Sequence, residues 1–244
     1  MILSLKKNSK TKTCFLTGAT GGLGKEIAKQ LVENGYDIFL TSTNEKSLKK
    51  LKNQLNTLNN ESKIFYDSGD LNNPSDIQKI IRECRKNLSA IDILINSAGV
   101  FTVKSIQKSS LNDFEESFNV NVRAPFLFSK EFCKDMIRKK WGRIINIGSS
   151  SSYSGFKDTS IYCSSKHAIL GLSRSLHSEL KSKNIRTITI SPGSIKTPMG
   201  KKVKNQKFKE FIDPVEIAEI LVTCLTLDKN MIIDEIKLNR MYMS

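Results

Sequence analysis

The chain has 244 residues, 39% of them apolar and 26% charged, the proportions of a globular protein and long enough for one α/β domain. Its formal charge of +15 comes mostly from lysines spread along the sequence. This reads first as compositional bias and second as a field for an acidic partner; with no aromatic-interleaved basic cluster and no recognition motif, nucleic-acid binding is a distant third reading. No apolar run approaches the ~20 residues of a membrane span. Cys14, Cys84, Cys133, Cys163 and Cys224 are scattered and odd in number, which excludes a disulfide framework or metal cluster and predicts a reducing, cytoplasmic setting.

Residues 1–12 form a polar lead-in. Thr13 to Thr17 predicts a strand, the TGATGGLG run a tight turn, and Leu23, Ile27, Ala28 and Leu31 the apolar face of a helix stopped by Asn34-Gly35. Strand, glycine turn and helix in that order let backbone and helix N-terminus approach a phosphate, so the turn points to a dinucleotide. Tyr36 to Ser42 is a second strand, and residues 45–58 a helix with Leu48, Leu51, Leu55 and Leu58 at helical spacing. A third strand, Ile64 to Tyr66, ends near Asp70-Leu71. Asn73 and Pro74 then supply N-cap and first position of a helix whose inner face is Ile77, Ile80, Ile81 and Cys84.

Ile91 to Ile95 is apolar on both faces, as a central parallel strand should be, and ends in Asn96-Ser97-Ala98-Gly99. A long helical region from about Leu111 to Lys139 is expected to break or bend near Pro125. Arg143 to Ile147 is the fifth strand, residues 160–182 a helix, and Thr187 to Ile190 a sixth strand running into Ser191-Pro192-Gly193. Asp213 and Glu216 read as N-cap and capping-box glutamate of a helix with Ile217, Ile220, Leu221 and Cys224 inside, and Ile232 to Leu238 is the last strand. This alternation predicts a doubly wound, Rossmann-type parallel sheet in three αβα layers, a single domain over 13–244.

In such a sheet ligands bind outside the carboxyl ends of the strands. The polar residues of interest fall there: the glycine turn, Asp70, the Asn96–Gly99 run, Ser149 and Pro192-Gly193. Tyr162 and Lys166, four apart, share one helix face, so phenol and ammonium project side by side. Ser150, Ser151 and Ser152 read as loop or cap residues, His167 as a surface or packing histidine, and Cys163 points away from the Tyr162 face.

These motifs, in this order, resemble the short-chain dehydrogenase/reductase family over about residues 13–243. The family's T-G-x-x-x-G-x-G appears as Thr17 to Gly24, its N-N-A-G as Asn96-Ser97-Ala98-Gly99 with one change, and its Y-x-x-x-K as Tyr162 and Lys166. The resemblance implies a catalytic set of Asn121, Ser149, Tyr162 and Lys166. It implies a cofactor site made of Gly18, Thr20, Gly22, Leu23 and Gly24, with Ser42 and Thr43, Asp70 and Leu71, Asn96, Ala98 and Gly99. Tyr162, Lys166, Pro192, Gly193, Ile195 and Thr197 complete it. The implied reaction interconverts a carbonyl and a secondary alcohol. Tyr162 exchanges the proton, Lys166 lowers the phenol's pKa and holds ribose hydroxyls, Ser149 holds the substrate oxygen, and Asn121 anchors a water relay.

The second strand ends in Thr41-Ser42-Thr43-Asn44 with no carboxylate before Glu45, which favours NADP(H), with Ser42, Thr43 and Lys46 facing the 2′-phosphate. NAD(H) stays the alternative, because Gly21 stands where a basic residue is frequent. The segment from Thr197 to Ile212 carries five lysines and two phenylalanines, either a solvated loop or a basic lid over an anionic or carrier-bound substrate. The closest expected activity is 3-oxoacyl-carrier-protein reduction, although the ending IDEIKLNRMYM departs from the glycine-containing end of those enzymes. The alternatives are another oxo or hydroxy metabolite, or a dinucleotide sensor without catalysis. The resemblance further implies a homodimer or homotetramer built on the two long helices, with Phe114, Phe118, Phe126, Phe128 and Phe132 divided between interface and core.

Overall fold

A computed structural model describes residues 11–203 and 206–241; the first ten residues of the expected lead-in lie outside the described residues. Seven strands form one sheet, β1 (Thr13–Thr17), β2 (Asp37–Ser42), β3 (Ile64–Ser68), β4 (Ile93–Asn96), β5 (Gly142–Ile147), β6 (Ile185–Pro192) and β7 (Glu235–Leu238). Their order is β3-β2-β1-β4-β5-β6-β7, every pairing parallel. The chain therefore reverses direction across the sheet between β1 and β4, which opens a crevice at their carboxyl ends.

Alternation along the strands supplies both faces of the core. Cys14 and Leu16 point to one side with α1 (Gly22–Glu33), α2 (Glu45–Leu58) and α7 (Pro214–Thr226), whereas Phe15 packs on the other with α3 (Pro74–Asn87), α5 (Ala124–Lys139) and α6 (Ser160–Leu180). On that second face the Phe15 ring contacts Phe39, Phe128 and Phe132. Phe128 and Phe132 are thus core, which removes them from the expected interface. Phe114 and Phe126 remain exposed, Phe114 stacked on Phe118.

The break or bend expected near Pro125 takes the form of a π-turn. α4 (Leu111–Phe118) runs through a π-turn, Asn119–Arg123, straight into α5, with Pro125 in its first turn. A proline there has no N–H for the carbonyl four residues back, that of Asn121, and the wider π-turn accommodates the mismatch. Asp213 caps α7 by accepting from Val215 N–H rather than from Glu216, so the expected capping box does not form there. The capping box appears instead at the start of α4, between Ser110 and Asp113. β4 starts at Ile93 because the Ile91 N–H is taken by the buried Asp135 carboxylate, 3.0 Å away. β6 is longer and β7 shorter than expected, and Ile232 is exposed.

Candidate active site

The glycine turn is shaped by close backbone approaches. Gly18 has φ +67°, and a Cβ on it would lie 2.7 Å from the Ala98 backbone; one on Gly24 would lie 2.1 Å from the Gly18 carbonyl oxygen. Gly22 faces Thr197, whose methyl would be 2.6 Å from an added Cβ. At the end of β1, Thr17 Oγ1 accepts from the backbone N–H groups of Ser97 and Ala98, both at 3.1 Å. This binds the turn to the loop after β4. Gly21 caps α1 without a side-chain bond, so the first N–H groups of that helix stay available to an anion.

From this turn a cavity of about 900 Å³ runs across the carboxyl ends of β1, β4, β5 and β6. Gly18, Thr20, Gly22, Leu23, Gly24, Gly99, Ser149, Tyr162, Lys166, Pro192, Gly193, Ile195 and Thr197 all line it. The other expected site residues sit around it. Ser42 is bound to the wall, its Oγ accepting from Thr20 Oγ1 at 2.9 Å, and Thr43 and Lys46 are exposed beyond it. Asp70 is exposed and its carboxylate accepts from Asn72 N–H, while Leu71 is buried in the core. Asn96 is drawn inward and donates to Asn146 Oδ1 at 2.8 Å, and Asn146 in turn donates to Ser173 Oγ. It is a strut beneath the cavity rather than part of its lining.

Ser149 leaves β5 in an extended conformation and caps a short turn, its Oγ accepting from Ser151 N–H while Ser152 Oγ accepts from Ser149 N–H. Tyr162 and Lys166 occupy the buried face of α6. Lys166 Nζ donates to the Ile147 carbonyl at 2.8 Å and lies 5.7 Å from the Tyr162 ring centre. Burial pushes the Tyr162 phenol up to about 12; a hydrogen bond from Ser149 pulls it down and Cys163 adds a smaller upward push. Burial pulls the Lys166 ammonium down to about 8. The expectation that Lys166 sets the phenol low is corrected: in the protein alone desolvation dominates, and Ser149 is the group opposing it.

Asn121 is buried in the π-turn. Its amide nitrogen donates to the Val100 carbonyl, to Ser165 Oγ at 3.0 Å and to Ser117 Oγ, and its Oδ1 accepts from Val100 N–H at 2.9 Å. Its side chain is thereby engaged in fixing the loop after β4 against α6. His167 is exposed and Cys163 is buried against Thr159. Among the described residues no group of His, Cys, Asp or Glu could hold a metal ion.

The cavity also uses residues that motif reading passes over: Phe101, Val103, Phe156, Lys157, Met199 and Lys202. They belong to loops that meet only in the folded chain. Proximity to Gly99 could have signalled Phe101. Of the five lysines in the 197–212 segment, Lys202 lines the cavity, Lys201 lies over the Phe208 ring, Lys207 pairs with Glu210 and Lys209 is exposed; the fifth, at 204, lies outside the described residues.

Residues 12–207 match the family model described as short chain dehydrogenase. The 3-oxoacyl-[acyl-carrier-protein] reductase of Buchnera aphidicola from Acyrthosiphon pisum is 33% identical over 208 residues, 85% of this chain and 83% of its own length. The reductase of the same description from the Baizongia pistaciae symbiont is 32% identical over 235 residues, covering 92% and 94%. Among solved structures, the alcohol dehydrogenase of Thermococcus sibiricus complexed with 5-hydroxy-NADP superposes with a TM-score of 0.87 at 24% identity, covering 96% of this chain and 99% of that one. Acetoin dehydrogenase from Salmonella typhimurium gives 0.82 at 25% identity, covering 94% and 95%. The chain belongs to the short chain dehydrogenase family and is an oxidoreductase of that family.

Proposed function

We propose that the protein reduces the ketone of a 3-oxoacyl group, free or carrier-bound, to the secondary alcohol, with NADPH as the favoured cofactor. One observation carries this reading: a single cavity joins the glycine turn to Ser149, Tyr162 and Lys166. The glycines, the uncapped start of α1 and Thr197 would hold the pyrophosphate, and Pro192, Gly193 and Ile195 the nicotinamide end. When bound, the nicotinamide supplies a hydride to the carbonyl carbon.

The protein's own work is to hold and protonate the oxygen. Ser149 Oγ and the Tyr162 hydroxyl would grip the ketone oxygen together, and Tyr162 gives its proton as negative charge develops there. With its pKa near 12 the phenol stays protonated at neutral pH, the state that reduction needs. An ammonium has three donors; Lys166 spends one on Ile147 and can turn the others to the ribose hydroxyls and the phenolate that forms. Asn121 contributes through its backbone. Pro125 offers no N–H to the Asn121 carbonyl, and that carbonyl is where a water that reprotonates Lys166 would bind.

NADPH is favoured by Ser42, Thr43 and Lys46 at the end of β2, where no carboxylate precedes Glu45. The relatives named as 3-oxoacyl-carrier-protein reductases support the acyl reading, and Lys157 and Lys202 beside the cavity suit an anionic carrier. Exposed Leu111, Phe114 and Phe126 support self-association through α4 and α5. Five free thiols suit a reducing, cytoplasmic compartment, and no helix among the described residues is long and apolar enough to cross a membrane. The test is NADPH and NADH oxidation with acetoacetyl thioester. Turnover with at least about tenfold preference for NADPH is expected. Comparable efficiencies contradict the cofactor assignment, and tight NADPH binding without turnover of any ketone contradicts the enzymatic one.

A further inference from the structure

Phe101 stands against the proposed proton donor. Its ring centre is 4.6 Å from that of Tyr162, at 69°, an edge contact, and both residues line the cavity. The backbone carrying it is clamped on both sides. Before it, Val100 gives its N–H to Asn121 Oδ1 and its carbonyl to Asn121 Nδ2. After it, Lys104 N–H bonds to the Asp158 carbonyl at 2.7 Å, and the Lys104 ammonium pairs with Asp113 at 2.5 Å. Asp158 is itself held at φ +59°, a conformation uncommon for a residue with a side chain. A wall anchored in this way cannot swing aside for a bulky substituent without breaking those bonds. The same cavity is lined by three further apolar side chains, Val103, Phe156 and Met199, all substantially exposed.

We propose that Phe101 is the specificity-determining residue of this site: its ring walls the space beside the reacting carbonyl, so that slender, unbranched apolar chains enter and ketones carrying a ring next to the carbonyl are rejected. This rests on Tyr162 being the proton donor. The exposed Val103, Phe156 and Met199 leave room for chain length, whereas Phe101 limits width at the carbonyl itself. A purely structural role, propping the phenol, would alter all substrates alike.

The test compares ethyl acetoacetate, with a methyl beside the ketone, and ethyl benzoylacetate, with a phenyl there. kcat/KM with NADPH is measured for the wild type, Phe101→Ala, Phe101→Leu and Phe101→Tyr. Wild type is expected to favour the methyl ketone. Phe101→Ala should shrink that preference by about tenfold or more, the scale on which a misfitting apolar group is discriminated, mainly by raising the rate on the phenyl ketone. Phe101→Leu should fall between, and Phe101→Tyr should restore the preference. Calorimetric binding of both ketones, with and without NADP⁺, reads the same selectivity without turnover. Absence of turnover in the wild type would therefore sink the functional reading, while the binding ratio still decides on Phe101. An unchanged ratio in Phe101→Ala and Phe101→Leu, or an equal loss on both ketones, overturns the proposal.

Discussion

The two ends of the cavity are built on opposite terms. At the glycine end there is no room for one added carbon: Gly18 lies against the Ala98 backbone and Gly24 against the Gly18 carbonyl, while Gly22 lies under the Thr197 side chain. At the far end exposed side chains form the wall, with Phe156 at 52%, Val103 at 40% and Met199 at 39% exposure. The first end has little freedom to vary, because a Cβ on Gly18 or Gly24 would displace main chain. The second can change side chains at small cost in stability. Ser149, half-buried, and Tyr162 and Lys166, both buried, line the same cavity. On the proposed reading, packing fixes cofactor handling and the side chains that project from the loops set substrate choice.

The contrast can be attacked from the glycine end first. Gly24→Ala should abolish NADPH binding in a fluorescence titration and lower stability by about 2 kcal/mol or more, since the Gly18 carbonyl has to move. A variant that binds normally would dissolve the contrast. Next is Lys166→Met, expected to cost roughly a hundredfold or more in kcat. For the wild type, reduction should decline as pH rises through about 8, where Lys166 loses its proton, while the phenol near 12 remains protonated. A rate that holds level to pH 10 would exclude a charged lysine from the mechanism.

The same lysine has a stability signature. Its folded pKa lies below the ordinary 10.5, so between about 8 and 10.5 the unfolded chain binds more protons and this group's contribution to stability rises with pH. The gain is on the order of 3 kcal/mol, absent from Lys166→Met and readable by urea unfolding across that range. At the small end, Phe156→Ala should change stability by no more than about 0.5 kcal/mol while shifting KM for long acyl substrates by about threefold.

How much of this is legible from residue order follows the same division. The sheet, the glycine turn and the Tyr162–Lys166 face are local patterns, written in strand alternation, glycine spacing and helical period. The π-turn is not, because a proline inside a helical run signals a break or bend without giving its form. Phe128 and Phe132 could not be separated from Phe114 and Phe126 by composition, since only packing on Phe15 decides which rings are core. The direction of the Tyr162 shift also stayed hidden, because charge proximity can be read from spacing but desolvation cannot. Phe101 escaped notice because its contact with Tyr162 spans 61 positions in the sequence.

The central claim is that Tyr162 gives the proton while the glycine end independently holds the cofactor. Single-turnover reduction of acetoacetyl thioester by Tyr162→Phe, with NADPH affinity measured on the same sample, tests it most directly. The account predicts a rate lower by roughly a thousandfold or more with NADPH affinity unchanged within about threefold. A near-normal rate, or loss of rate only through loss of NADPH binding, would contradict it.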